Sequence, residues 1–219
     1  MSERQRAGDA AEHAFATDAR IRLADAARHL VDAVLTSEDA DDDELRAAVE
    51  AVEALADELH GEAAGGVRPV GRRRRTEGHY DFLLRSPIVG DVNPLAPPLA
   101  WTRDGDRTIA TGVFGAAYEG PPGYVHGGWI ALAFDEVLGM ANIANRTPGM
   151  TGKLSIRYRR PTPLMTPVRF ESWTERVEGR RITCMGTLDA DDQRLAEAEG
   201  LFIAITSDIA GKYFGTGGA

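Results

Sequence analysis

The sequence predicts an α+β fold: a curved antiparallel sheet of about five or six strands around one long helix, preceded by a helical hairpin. Three observations predict it. The run WIALAFDEVLGMANIA, residues 129–144, is apolar nearly all round and so must be buried on most sides. Alternating segments, two before that helix and four after it, are separated by Gly, Asp and Pro turn signals. Ahead of them, apolar residues recur at helical spacing over two stretches.

From about Asp9 to Gly61 the chain reads as two helices. The first carries Ile21, Leu23, Ala27, Leu30, Val31, Val34 and Leu35. The second, after the acidic break from Ser37 to Asp43, carries Leu45, Val49, Val52, Leu55 and Leu59. Acids in its first turn and Gly61 beyond its end suit the helix dipole and a C-terminal stop. Each helix has one apolar face and is expected to bury it. From Gly61 to Pro98 the chain holds Gly65-Gly66, the run Arg72 to Arg75, and Asn93-Pro-Leu-Ala-Pro-Pro98. Proline at that density removes donors and fixes φ, so irregular structure is expected.

A hairpin opens the next zone. LAWTR and RTIATGVFGAAYEG flank Asp104-Gly105-Asp106, and Pro121-Pro122-Gly123 closes the second strand. The apolar helix follows, from about Gly127 to Ala141. Four strands come after it, at Met150 to Arg159, Thr166 to Val177, Arg181 to Asp189 and Leu195 to Ile205. Glu178-Gly179 and Ala190-Asp191-Asp192 are the turns between the last three. The expected divisions are a helical extension at 1–65, a linker and irregular segment at 66–98, the functional domain at 99–207 and a flexible glycine-rich tail at 208–219.

Composition narrows the function. A net charge of −9 argues against a dedicated nucleic-acid binder. No apolar run is long enough to predict a membrane helix, and MSERQRAGDA lacks the apolar core of a signal peptide, so a cytoplasmic location is expected. The single cysteine, Cys184, excludes an internal disulfide and a cysteine-based zinc site, and it reads as a half-buried strand residue.

The chemistry centres on Gly123-Tyr-Val-His126-Gly127-Gly128-Trp129, with Asp135 further on. Glycines at a helix start leave unpaired N–H groups open to approach, and the dipole there favours an oxyanion. An aspartate inside an apolar helix is costly to bury and points to function. The plain alternatives are an exposed helix residue beside Glu136 or a buried carboxylate bonded to backbone.

His126-Gly127-Gly128, then apolar residues, Asp135 and Gly139, resemble the signature of the PaaI-like hotdog-fold thioesterases. Leu154-Ser-Ile-Arg-Tyr158 with Pro161-Thr-Pro163 resembles the strand that follows the central helix there. Ser86-Pro-Ile-Val-Gly90 with Asn93 to Pro98 resembles thioesterase-superfamily members of the animal mitochondrion. The resemblance covers about Ser86 to Ile205 and leaves out the N-terminal helices.

That resemblance implies acyl-CoA hydrolysis. Gly127, at the helix N-terminus with Gly128, polarises the thioester carbonyl. His126 orients the site, Asp135 is nucleophile or general base, and Thr151 positions water or the acid. A polar side chain that some members carry in the preceding loop falls at Gly120, beside Glu119, so that helper is absent or supplied elsewhere. Trp129 and Phe134 read as core or acyl-pocket lining. Arg157 and Arg159 are candidates for the coenzyme A phosphates. No metal and no cofactor are expected, since coenzyme A belongs to the substrate. Competing readings are a hotdog module that binds acyl-CoA without cleaving it, and a hotdog hydratase. The spacing of Asp135 argues against the hydratase, and retention of Thr151 with Asp135 favours catalysis.

Helix geometry adds an expectation about assembly. At about 1.5 Å per residue, Gly127 and Asp135 lie roughly 12 Å apart along one helix. One thioester therefore needs the glycine of one copy and the aspartate of another, in a homodimer or a dimer of dimers.

Overall fold

The computed structural model describes residues 17–60, 81–144 and 149–205. Six strands form one sheet: β1 (Leu99–Asp104), β2 (Arg107–Val113), β3 (Gly149–Tyr158), β4 (Pro167–Glu178), β5 (Arg181–Ala190) and β6 (Gln193–Ala204). Every pairing is antiparallel, in the order β1-β2-β4-β5-β6-β3. Helices α1 (Asp18–Thr36), α2 (Asp42–His60) and the short α3 (Asp81–Leu84) precede the sheet, and α4 (Gly127–Ala144) lies across its inner face. After β2 the chain crosses through α4 and returns at the far edge. That leaves β3 as an edge strand beside β6.

Hairpin chemistry sets the register. Asp104 pairs with Arg107 around Gly105, and Glu178 pairs with Arg181 around Gly179, with φ of 59° and 60° at the two glycines. Glycine first in a two-residue loop matches the twist of the flanking strands. Asp191 and Asp192 both take positive φ, 48° and 59°, in the β5–β6 turn, a conformation that aspartate tolerates.

Helix α4 is buried along Ile130, Ala133, Phe134, Val137, Leu138 and Ala141, a helical stripe facing the sheet. Phe114, Phe170, Ile182, Cys184 and Leu188 meet it from the other side. Each large side chain so enclosed contributes about 1.5–3 kcal/mol. Ser172, Gly186 and Ala198 form a row of small residues across β4, β5 and β6. They let the helix lie close. A Cβ on Gly186 would stand 3.0 Å from Leu138 Cδ2, and the Ser172 hydroxyl donates to the Val137 carbonyl at 2.8 Å.

Three expectations need adjusting. Strand β2 ends at Val113, well short of Gly120, and a 3₁₀ turn (Ala116–Tyr118) follows. Val113 pairs with Pro167, which has no N–H, so the ladder stops there. The irregular stretch after α3 is laid onto the core, with Ser86, Ile88 and Ala96 buried. The N-terminal helices form, but they do not bury their apolar faces: Leu23, Leu30, Val34, Leu45, Val49, Val52, Leu55 and Leu59 are exposed. Gly65-Gly66, Arg72 to Arg75 and the 208–219 tail lie outside the described residues.

Candidate active site

The start of α4 can be accounted for bond by bond. His126 caps it. Its carbonyl accepts the N–H groups of Trp129 (3.0 Å) and Ile130 (3.4 Å), and its ring Nδ1 accepts the Gly128 N–H at 2.9 Å. The N–H of His126 itself donates to the Tyr118 carbonyl at 2.8 Å. Of the first helical N–H groups, the one that these bonds leave over is that of Gly127. A group bonded to that N–H sits on the positive end of the helix dipole. Gly128, grouped with Gly127 at the helix tip by the resemblance, has its own N–H held by His126.

Gly120 explains why the loop helper is missing. A Cβ there would stand 2.7 Å from His126 Cα, so no side chain fits without displacing the cap. Tyr118 braces the same cap. Its ring meets Trp129 edge-on at 5.0 Å and Phe114 at 5.4 Å.

Two turns on, Asp135 is half-buried and accepts the Thr151 hydroxyl at 2.8 Å. That contact depends on a bulge in β3. Thr151 pairs with Phe202 and Lys153 with Leu201, so the ladder skips Gly152. The skipped residue reverses the alternation, which turns Thr151 to the inner face already occupied by Leu154, Ile156 and Tyr158. At the other end of the strand, the Tyr158 hydroxyl donates to the Gly127 carbonyl at 2.8 Å.

The structure therefore brings His126, Gly127, Asp135 and Thr151 along one side of α4 and the edge of the sheet. It does not gather the other candidates there. Phe134 has no exposed surface and packs edge-on against Phe170 at 5.3 Å, so it belongs to the core. Trp129 is half-buried against Tyr118. Arg157 sits on the outer face of β3, opposite Tyr158, and Arg159, just past the end of the strand, pairs with Glu197 at 2.6 Å.

Two participants escaped the sequence reading. Tyr158 was visible only as part of a motif, although its alternation with Leu154 and Ile156 places it inward. Glu136 enters the sequence analysis only as the neighbour of Asp135. It is half-buried and accepts the Ser86 hydroxyl at 3.2 Å, while that hydroxyl oxygen takes the N–H groups of Ile88 and Val89. Burial raises the Glu136 carboxyl above its usual 4.5; the Ser86 bond opposes the shift and the charge of Asp135 adds to it. Among the described residues no cluster of metal-ligating side chains occurs.

The thioesterase-superfamily profile matches residues 122–197, from just before His126 to β6. Acyl-coenzyme A thioesterase THEM4 of Mus musculus is 35% identical over 101 residues, 45% of this chain and 44% of the mouse protein. The Xenopus laevis protein of the same name is 36% identical over 93 residues, 42% of either chain. The chain thus spans under half the length of the curated relatives it matches. The crystal structure of protein RHA08564, a thioesterase superfamily protein, is 35% identical, with a TM-score of 0.72 over 84% of this chain and 90% of that one. A match of that extent reaches beyond residues 99–207 alone, so the likeness runs through nearly the whole architecture: the chain belongs to the thioesterase superfamily and has its hotdog fold.

Proposed function

We propose that the protein hydrolyses acyl-CoA thioesters to a free acid and coenzyme A. The carrying observation is the unspent Gly127 N–H at the tip of an apolar helix, on the same side as a carboxylate held by Thr151. The named activity of the curated relatives supports the substrate class.

The chemistry follows from the atoms. A thioester carbonyl bonded to the Gly127 N–H is polarised, and the negative charge that develops on its oxygen is stabilised there. Asp135 takes a proton from water as the water oxygen bonds to the carbonyl carbon, or its own oxygen attacks to give a mixed anhydride. The C–S bond then breaks, and the thiolate of coenzyme A leaves and takes up a proton; on the anhydride route water then adds to the anhydride, which releases the free acid and restores the Asp135 carboxylate. Thr151 fixes the rotamer of Asp135 by donating to one carboxylate oxygen, which leaves the other for water or substrate. Coenzyme A enters as part of the substrate, and the reading calls for no further cofactor.

The active unit in this reading is a homodimer, alone or within a dimer of dimers. Gly127 and Asp135 stand about 12 Å apart along α4, too far to serve one carbonyl. What would complete the site is a second copy. Among the described residues strand β3 is an unpaired edge with Met150 and Tyr158 exposed, and edges of this length are normally covered. On α4, Gly128, Leu132, Asp135 and Gly139 recur at helical spacing outside the buried stripe, with small residues where another helix can approach.

Thiol release measured across acyl-CoA chain lengths tests the activity. Asp135→Asn should lower kcat by roughly 10²–10⁴ while acyl-CoA binding persists. Wild-type protein that binds acyl-CoA yet releases no coenzyme A from any chain length would instead be a binding module.

A further inference from the structure

The peptide between Gly127 and Gly128 is held at both ends. Its carbonyl accepts the Tyr158 hydroxyl at 2.8 Å, and its N–H donates to His126 Nδ1 at 2.9 Å. Two consecutive glycines are the least constrained backbone a helix can start with, because neither carries a Cβ. A donor with free torsions on both sides would point at a reacting carbonyl only part of the time. Preorganisation is what makes such a donor effective.

We propose that Tyr158 is a positioning residue: with the His126 ring it clamps the Gly127–Gly128 peptide plane and thereby fixes the aim of the neighbouring Gly127 N–H. This rests on the reading that Gly127 polarises a thioester. The two side chains come from opposite directions, one from the edge strand and one from the cap itself, and meet on one peptide unit. On the far side of Gly127, the His126 carbonyl takes two helical N–H groups. Both peptides that flank Gly127 are thus immobilised by their partners, and the residue needs no side chain of its own. The tyrosine ring also covers Gly127: a Cβ there would lie 3.7 Å from Tyr158 Cζ and Oη. Because Nδ1 accepts, the neutral His126 ring carries its proton on Nε2.

Tyr158→Phe removes the hydroxyl and keeps the ring on a half-exposed edge residue, so the fold is retained. Amide exchange in ¹⁵N-labelled protein reads the clamp directly. The Gly128 amide should exchange about tenfold faster in the variant, as expected for loss of one hydrogen bond's contribution. Under steady state, kcat should fall about tenfold with KM within twofold. His126→Ala should lower kcat as well, and the double variant should be little worse than the weaker single, since both side chains hold one peptide. Unchanged Gly128 exchange in Tyr158→Phe overturns the proposal, as does an unchanged kcat or strictly additive losses. Wild-type protein without coenzyme A release would sink the thioesterase reading alone, and the exchange measurement would still decide the clamp.

Discussion

Glu136 shows how one side chain can be costly and retained. It sits one residue after Asp135 on α4 but faces the irregular segment, where Ser86 binds it. Its carboxyl titrates above 4.5 chiefly because burial disfavours the charge. The sign follows from linkage. A carboxyl with a raised folded pKa binds its proton more tightly in the native state than in the unfolded chain. Stability from that proton is fully present below 4.5 and is lost as pH rises through the folded value. Glu136→Gln keeps an acceptor for Ser86 and removes the charge. Its melting temperature should exceed that of the wild type at pH 7, and the gap should close at pH 4, as thermal melts at the two pH values would show. A gap that widens toward pH 4 would contradict the assigned direction. The Asp135–Thr151 contact was half legible in sequence. Resemblance singled out both residues, but plain alternation from Leu154 would turn Thr151 outward. The bulge at Gly152 that corrects this is a property of the β3–β6 register.

At the scale of elements, α1 acts as a brace on the turn that carries the cap. Ala24 is buried, Arg28 donates to the Asn93 carbonyl at 3.2 Å, and the Asp32 carboxylate fills the space where a Gly115 side chain would begin, 3.2 Å from its Cβ position. Beneath them lies Tyr118, whose hydroxyl is pushed up to about 12, mainly by burial, with Arg28 pulling it down and Asp32 up. The Tyr118 carbonyl holds His126, so the brace reaches the helix tip in two steps. Arg28→Ala would remove one of the two donors to the Asn93 carbonyl, which keeps the Ala96 N–H at 3.0 Å, and with it the bond that ties α1 to this segment, at a cost of about 1 kcal/mol. Calorimetry should show this as a fall in melting temperature of roughly 2–4 °C. An unchanged transition would mean that α1 rides on the fold without supporting it. The helices themselves were legible, because a period of 3.6 is a local signal. The end of β2 was not, because Pro167 stops that ladder from a distant strand, and the alternation in VFGAAYEG carries no trace of it.

For the whole molecule, the residues were readable before their division of labour was. An apolar helix with a glycine tip and an internal acid implies a buried helix and a polar site, yet a single chain places the two groups some 12 Å apart. The exposed β3 edge and the seam of Gly128, Leu132, Asp135 and Gly139 give that separation a meaning if two copies meet there. Complementation tests this without any structure of the assembly. Asp135→Asn removes the acid from a protomer. Gly127→Pro replaces the N–H with a ring carbon; proline is well tolerated at the first position of a helix, and a Cβ at Gly127 makes ordinary contact with Tyr158. Each homodimer should be inactive, the second because loss of such a donor costs roughly 10²–10³ in rate. A heterodimer purified through two different affinity tags pairs the intact Gly127 of one copy with the intact Asp135 of the other. It therefore has one complete site of two and should turn over at about half the wild-type rate. If both groups instead served a thioester within one protomer, every site in that heterodimer would be defective, and it would stay as inactive as its parents.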